Sequence, residues 1–266
     1  MALSLDDIDF LQTAPAVRVL TRYADADLSA ANTLPILTEL RNSLSIAEAA
    51  AVLTTLRLRA KAKTKFPQFA GDMLFAESGL QQASHPLVRR YRAGLIDSDN
   101  VLDLCCGIGA DSLAFAAAGS DVLGLDIDPV RIAIARHNAA AMGLKATFQV
   151  ADVRREIPTG YDCVFFDPGR RDDGGRRIHH VERYKPPLSL AAGIEAREVI
   201  VKLSPGLDLK QLATYGGQVE FVSASGQLTE ALLWLHFPES PPKATLLTER
   251  GNFHLCHRHS EPVEIT

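Results

Sequence analysis

The chain has 266 residues, of which 47% are hydrophobic and 23% are charged, and its formal net charge is −4. This composition is ordinary for a soluble globular protein, and the negative net charge shows that the chain as a whole is not a polycation. No apolar run reaches the roughly 18 residues of a membrane helix, and the acidic N-terminal stretch lacks the pattern of a signal peptide.

Residues 1–95 are expected to form an N-terminal helical domain, because Ala, Leu, Arg and Glu dominate this part of the chain. Ser45 and Glu48 have the spacing of a capping box, and the helix that they begin is expected to run to about Lys65. Pro86 is expected in the first turn of another helix, which leads into the first strand.

Residues 96–243 alternate short apolar segments with helical segments, which predicts an α/β domain with a mostly parallel sheet and helices on both faces. The expected strands are 100–105, 121–126, 146–151, 161–166, 198–203, 217–223 and 231–237, and the expected helices are 111–118, 129–142, 187–194 and 208–214. Only a short segment separates the last two strands, so we expect an antiparallel pair at one edge of the sheet. Residues 244–266 are expected to form a C-terminal hairpin or a tail.

The segment VLDLCCGIGADSLAFA, at 101–116, is the motif around which the chain is organised. A buried strand ends in a turn at Gly107 and Gly109, and Asp111 is the expected N-cap of the next helix. This is the layout of a nucleotide-binding unit, although the third glycine of the dinucleotide fingerprint is missing. Asp126 ends the second strand, where an acidic residue holds ribose hydroxyls in such folds.

Four ordered motifs follow one another in this part of the chain. They are Asp103-x-Cys105-x-Gly107-x-Gly109, Gly124-Leu125-Asp126, Ala151-Asp152 and Asp167-Pro168. In this order they resemble the motifs of class I S-adenosylmethionine-dependent methyltransferases, which have a Rossmann-like, mostly parallel seven-stranded sheet. With LRLRAKAKTKFP, GLQQASHPLVRRYRA and a DPxRR loop, the chain is also similar to bacterial methyltransferases that carry a THUMP-like domain. Those resemble the trimethylguanosine synthase group, and this sequence departs from them by ending where the THUMP-like domain would begin.

The resemblance implies that the cofactor is S-adenosylmethionine. Asp103 would pair with its ammonium, directly or through water, Asp126 would accept from both ribose hydroxyls, and Asp152 would accept from the adenine amino group. The full set of implied cofactor-binding residues is Asp103, Cys105, Gly107, Gly109, Asp126, Ile127, Asp152, Val153 and Asp167. The alternative is that the aspartates are only helix caps and turn formers.

Asp167 and Pro168 are the implied catalytic residues, because they follow the fourth strand and would lie beside the transferable methyl group. Enzymes that methylate exocyclic amines carry an Asp/Asn-Pro-Pro-aromatic turn at this position. Gly169 and Arg170 replace its last two residues here. Asp167 could still accept a hydrogen bond from an amine, but only the guanidinium plane of Arg170 could stack on a base. We therefore expect methylation of an RNA nucleobase amine. The alternatives are a methyltransferase for a small molecule or a protein, a non-catalytic module that binds S-adenosylmethionine or RNA, and an Asp167 that serves only the turn.

Two basic segments are candidate RNA-binding surfaces. On the long predicted helix, Lys61 and Lys65 belong to a basic stripe, and Phe66 lies at its end, where a base could stack. The whole stripe is Arg57, Arg59, Lys61, Lys63 and Lys65. In the loop GRRDDGGRR, Arg170 and Arg171 could bind phosphates as planar forks. Each segment could equally be an ordinary solvated surface.

Four residues near the C-terminus resemble a metal cluster by composition only: His254, Cys256, His257 and His259. A strand would split them between its two faces, so no metal is expected. The four cysteines of the chain include no C-x-x-C pair and no disulfide framework, so we expect a protein of the reducing cytoplasm.

Overall fold

The structure is a computed structural model and describes residues 2–172, 174–238 and 240–256. Up to residue 95 the described chain forms six helices: α1 (Leu5–Leu11), α2 (Ala14–Arg22), α3 (Ala30–Leu40), α4 (Ile46–Ala62), α5 (Glu77–Gln82) and α6 (Pro86–Leu95). The capping box expected at the start of α4 is present, because Ser45 Oγ accepts from the Glu48 amide and Glu48 Oε2 accepts from the Ser45 amide. α4 ends three residues before Lys65, since the chain turns at 63–65, and α6 begins at the expected proline.

Nine strands of the described chain form one sheet in the order β3-β2-β1-β4-β5-β7-β6-β8-β9. Their bounds are β1 (Asn100–Leu104), β2 (Asp121–Asp126), β3 (Thr147–Val150), β4 (Cys163–Phe166), β5 (Glu198–Leu203), β6 (Gln218–Ala224), β7 (Gln227–Leu235), β8 (Lys243–Thr248) and β9 (Gly251–Cys256). β1 to β5 are mutually parallel, whereas β7 is antiparallel to β5 and β6. Helices α7 (Ala110–Ala117) and α8 (Pro129–Ala141) connect β1 to β2 and β2 to β3. The expected α/β class with a mostly parallel sheet is confirmed.

The pair β6–β7 is antiparallel as expected, but the expectation that it lies at the edge of the sheet is wrong. β8 pairs with β6 in parallel and β9 pairs antiparallel with β8, so nine strands form instead of seven. The turn before β7 is only Ser225-Gly226, both with positive φ, as in two-residue hairpins, so β7 begins at Gln227 instead of 231. Residues 257–266, which include His257 and His259, lie outside the described residues.

Three expected helices differ in detail. Asp111 is not an N-cap, because α7 begins after Gly109 and Asp111 lies in its first turn, buried against Arg92. The segments 187–194 and 208–214 form only short 3-10 turns, Leu188–Gly193 and Leu209–Leu212. Such turns are a common form of short connections between longer elements.

Buried polar contacts hold the N-terminal helices against the sheet. The Asn138 side chain of α8 binds both backbone groups of Leu74, at 2.8 and 3.1 Å. Arg92 of α6 is fully buried and forms ion pairs with Asp111 of α7 and Glu230 of β7. These contacts fix α6 beside the carboxyl ends of the strands. In the part of the chain that the structure describes, no helix is long and apolar enough to cross a membrane.

Replacing Arg92 with methionine is expected to lower the free energy of unfolding by about 3–5 kcal/mol, because two buried carboxylates would lose their partner. Urea unfolding measures this change. The matched control is Arg22→Met, which breaks an exposed ion pair with Glu39 and should cost less than about 1 kcal/mol. Equal losses in the two variants would contradict the importance of the buried pairs.

Candidate active site

A cleft of about 940 Å³ opens at the carboxyl ends of the parallel strands. β1 leads into the cleft at Cys105, β2 at Asp126, β4 at Asp167 and β5 at Ser204. The strand order reverses between β1 and β4, since β2 and β3 lie on one side of β1 and β4 and β5 on the other. Open α/β sheets bind ligands at such a switch point.

The structure brings most of the predicted site residues together in this cleft. Its lining includes Lys65, Cys105, Gly107, Asp126, Ile127, Asp152, Val153, Asp167, Pro168, Arg170 and Arg171. Four predicted residues do not line the cleft: Asp103, Gly109 and Phe66 are buried, and Lys61 is exposed on α4.

The turn after β1 contains three residues in the left-handed region, Cys105 (φ 63°), Gly107 (φ 57°) and Gly109 (φ 80°). A side chain at Gly107 would meet no atom within 4 Å, so this glycine leaves open space for a ligand beside the backbone. A side chain at Gly109 would lie 3.1 Å from both Ala135 and Phe148. This glycine therefore allows the turn to pack against α8 and β3, and its contact with the cofactor stays a prediction.

Asp103 is buried below this turn and does not reach the surface of the cleft. Ser112 Oγ donates to one of its carboxylate oxygens, whereas the other is buried without a hydrogen-bond partner in the described chain. Burial, and secondly the nearby charge of Asp111, raises the pKa of Asp103 well above its ordinary value. Of the two predicted forms of contact, a direct ion pair of Asp103 with a ligand in the cleft is not available in this arrangement, and contact through water stays a prediction.

Asp103→Asn is expected to stabilise the protein, and to do so more at high pH. The pKa of Asp103 is higher in the folded than in the unfolded state, so the wild type loses stability as the pH rises from the unfolded value toward the folded one. Asparagine does not ionise and can still accept from Ser112. Urea unfolding at about pH 5 and about pH 8 checks this, because both lie above the unfolded value of roughly 3.9. A stability difference that shrinks with rising pH would contradict the prediction.

Asp126 is anchored at the end of β2 by the backbone. Its two carboxylate oxygens accept from the amides of Asp128 and Gly107, each at 2.9 Å, and Arg131 lies 3.9 Å away. Burial raises the pKa of Asp126, and this effect outweighs the backbone donors and Arg131. Each oxygen keeps a second lone pair, so a fixed acceptor remains at the wall of the cleft.

The wall beyond Asp126 combines apolar and acidic groups. Ile127 is 58% exposed although it is apolar, and Val153 lies beside it in the lining. Asp152 is held by Arg154, which contacts both carboxylate oxygens at 2.8 Å. The hydrogen bond from Arg154 is the main reason that the pKa of Asp152 is lowered to about 2. This wall offers a flat apolar ligand an exposed surface with a permanent anion at its edge.

Asp167 follows β4, and its side chain is 25% exposed. Lys202 Nζ lies 2.6 Å from Asp167 Oδ2, while the other oxygen has no hydrogen-bond partner among the described residues. Sequence reasoning missed Lys202, and it also missed Arg92 and Glu230. The available signal was a single cation inside the apolar segment EVIVKL, because buried parallel strands are almost continuously apolar.

The basic stripe of residues 57–65, in α4 and the turn after it, mostly binds the protein itself. Lys65 Nζ donates to three backbone carbonyls between 80 and 83, at 2.6–3.0 Å, and Lys61 forms an exposed ion pair with a glutamate of α5. Phe66 is only 6% exposed, and the Arg89 guanidinium lies over its ring at 4.1 Å. The prediction that Phe66 stacks on a base is therefore wrong, because its ring belongs to the core.

The arginine-rich loop forms a short hairpin at the mouth of the cleft, closed by the backbone pairing of Arg171 with Arg177. Arg176 forms an ion pair with Asp172 at 2.9 Å. Arg170, Arg171 and Arg177 line the cleft. Neither Arg170 nor Arg177 has an ion-pair partner within the described chain, so both are available to an anionic ligand at the cleft.

Comparison with known proteins agrees with this geometry. A family described as "Methyltransferase domain" matches residues 101–167, and a domain of unknown function matches residues 4–62. Two Mycobacterium tuberculosis proteins, both named uncharacterised S-adenosylmethionine-dependent methyltransferases, are 38% identical to this chain over 191 residues. The match covers 69% of this chain and 52% of each relative, so the chain spans about half their length.

Two further comparisons are more distant. A tRNA (uracil(54)-C(5))-methyltransferase of Pyrococcus abyssi is 32% identical over 100 residues, which are 38% of this chain and 24% of that protein. The crystal structure of a candidate methyltransferase from Porphyromonas gingivalis W83 superposes with a TM-score of 0.74 at 21% identity. The superposition covers 96% of this chain and 66% of the Porphyromonas gingivalis chain, and it shows that the two proteins share a fold.

S-adenosylmethionine is the cofactor, and the residues of the cleft fit it. The open space at Gly107 admits a ligand against the backbone, Asp126 offers acceptors for ribose hydroxyls, and exposed Ile127 offers an apolar surface for adenine. The family match over residues 101–167 and the mycobacterial relatives identify a class I S-adenosylmethionine-dependent methyltransferase domain in this chain, and the cleft lies within it.

Proposed function

We propose that this chain transfers a methyl group from S-adenosylmethionine to an exocyclic amine of an RNA nucleobase. The observation that carries the proposal is the carboxylate of Asp167, which lies at the cleft with one oxygen bound to Lys202 and the other without a partner in the described chain. Such an oxygen can accept a hydrogen bond from an amine. We assign Asp167 and Pro168 to catalysis on this basis.

When bound, S-adenosylmethionine supplies an electrophilic methyl group, which an amine takes up as the methyl–sulfur bond breaks. Asp167 accepts from an amine N–H and so directs the nitrogen lone pair, and its unpaired oxygen can take the proton that the methylated amine releases. Pro168 fixes the turn after Asp167, and two backbone hydrogen bonds between Gly169 and Lys185 hold its far side. The chain therefore contributes mainly orientation, and no strong general base is needed.

RNA is the proposed substrate because cations line the mouth of the cleft. Arg170 and Arg177 have no ion-pair partner in the described part of the chain, so they can bind phosphates as planar forks. The resemblance to bacterial methyltransferases with a THUMP-like domain, and the RNA substrates named for distant relatives, support the same class. The thiols of Cys105, Cys106 and Cys163 are unpaired, which supports a place in the reducing cytoplasm.

Methylation of uracil carbon, which the names of distant relatives suggest, is the second candidate. Carbon-5 of uracil needs activation by a nucleophile before it can accept a methyl group. Cys105 and Cys106 line the cleft, but burial, together with neighbouring aspartates, raises the pKa of both thiols well above the ordinary value. Because a thiolate is the nucleophilic form, this environment favours the amine over the carbon acceptor.

Replacing Arg170 and Arg177 with alanine is expected to weaken RNA binding and to reduce its salt dependence. Each lost phosphate contact lowers the slope of log affinity against log salt by roughly 0.7–0.9, so the double variant should lose roughly 1.4–1.8. Fluorescence anisotropy across a salt series measures the slope. Arg22→Ala/Arg41→Ala removes the same charge from exposed positions at the ends of α2 and α3, away from the cleft, and should leave the slope unchanged. Identical slopes in both double variants would contradict an RNA role for the loop.

The proposed function is tested by transfer of a tritiated methyl group to total RNA, total protein and small-molecule extracts. We expect label in the RNA fraction, and S-adenosylhomocysteine should suppress it. Label confined to the protein or small-molecule fraction would contradict the RNA substrate. Binding of the cofactor without transfer to any fraction would instead favour a non-catalytic module.

A further inference from the structure

Asp167 belongs to a mostly buried group of charged residues. We call this group the charge cluster: Arg92, Asp111, Asp167, Lys202 and Glu230. Lys202 Nζ is 2.6 Å from Asp167 Oδ2, and Arg92 forms ion pairs with Asp111 and Glu230. Asp167 has the most exposed side chain of the five, at 25%. Asp111, Lys202 and Glu230 also line the cleft, and Asp167 is the member of the cluster that is most open to it.

Lys202 occupies a position that an apolar residue could fill. Its neighbours in β5, Val201 and Leu203, are fully buried, and Lys202 itself is only 3% exposed. Taking an ammonium out of water costs several kcal/mol, and replacing a buried ion pair by apolar residues is often neutral or stabilising. Stability alone therefore gives little reason for an ion pair of Lys202 with Asp167 at this position.

The surroundings keep Lys202 charged. Burial lowers the pKa of Lys202, but the charges of Asp167, Asp111 and Glu230 together raise it above its ordinary value, despite opposition from Arg92. Lys202 is thus an ammonium donor throughout the neutral range and not a general base. Its hydrogen bond occupies one oxygen of Asp167 and restricts the rotation of that carboxylate.

We propose that Lys202 is a positioning residue for methyl transfer, which holds Asp167 so that its second oxygen meets the acceptor amine. This inference rests on the proposed function, because it assigns Lys202 a role in the same reaction. Lys202 acts only through Asp167 and does not itself bind the acceptor. Misplacement of a reacting group by about 1 Å can cost roughly 100-fold in rate, which sets the scale of the expected effect.

The test is a double-mutant cycle of Lys202→Met and Asp167→Ala, measured by tritiated methyl transfer to RNA. Lys202→Met should lower kcat about 100-fold, leave KM for RNA within about threefold, and leave the Kd for S-adenosylhomocysteine within about threefold. If Lys202 acts through Asp167, the double variant should be no slower than Asp167→Ala alone. Lys210→Met removes an exposed lysine outside the cleft and should retain full activity.

A folded Lys202→Met protein with kcat within a few-fold of the wild type would overturn the inference. Losses that multiply in the double variant would also overturn it, since Lys202 would then act independently of Asp167. If Lys202→Met does not fold, Lys202→Gln keeps an N–H donor without the charge and enters the same cycle. If the wild-type protein labels no RNA, the proposed function is rejected before any variant is compared. The inference about Lys202 is then rejected as well.

Discussion

Replacing Asp167 with alanine is expected to lower kcat for methyl transfer about 1000-fold and to leave the Kd for S-adenosylhomocysteine within about threefold of the wild type. The carboxylate is proposed to orient the acceptor amine and to accept its proton, and both interactions belong mainly to the transition state. Binding of the cofactor is proposed to depend mainly on groups at the ends of β1 and β2. The variant should therefore separate catalysis from cofactor binding.

Asp162 provides a matched control for this experiment. It is an exposed aspartate just before β4, at the opposite end of the strand from Asp167. Asp162→Ala should retain the activity of the wild type. If Asp167→Ala also keeps kcat within a few-fold, then Asp167 serves only the turn and the proposed mechanism is wrong.

Asp126→Ala is expected to weaken binding of S-adenosylhomocysteine by roughly 100- to 10,000-fold. Two hydrogen bonds from ribose hydroxyls to a carboxylate would be lost, each contributing roughly 1.5–3 kcal/mol, and every 1.4 kcal/mol or so corresponds to about tenfold in affinity. The variant also removes the acceptor of the Gly107 amide, which shapes the glycine turn. Calorimetric titration measures the Kd, and thermal unfolding confirms that the variant is folded.

Asp121→Ala is the control, because Asp121 is exposed at the opposite end of β2. Its Kd should equal that of the wild type. A folded Asp126→Ala protein that binds S-adenosylhomocysteine at full strength would end the assignment of Asp126 to the ribose.

The parts of the fold that local patterns determine could be predicted from the sequence. Apolar runs and glycine turns predict β1 to β5, and the carboxyl ends of those strands then predict where Asp126 and Asp167 meet. The position of β8 could not be predicted in this way. It pairs with β6, and the choice of a neighbour in a sheet depends on the whole arrangement of strands and not on the segment itself.

In the site, too, contacts between residues far apart in the sequence could not be predicted from local patterns. Lys202 and Asp167 are 35 residues apart, and Arg92 and Glu230 are 138 residues apart, so no spacing in the sequence relates them. The prediction for Phe66 was wrong for a related reason. An aromatic residue after a basic helix has the same local pattern whether it is exposed or buried. Only the packing of Arg89 over its ring decides between the two.

Methylation of an RNA nucleobase amine is best tested by identifying the methylated nucleoside. RNA labelled by the wild-type protein is digested to nucleosides and analysed by mass spectrometry, with RNA treated by Asp167→Ala as the control. We expect a nucleoside that carries the new methyl group on an exocyclic nitrogen and that is absent from the control. A methyl group on carbon-5 of uridine or on a ribose hydroxyl would contradict it.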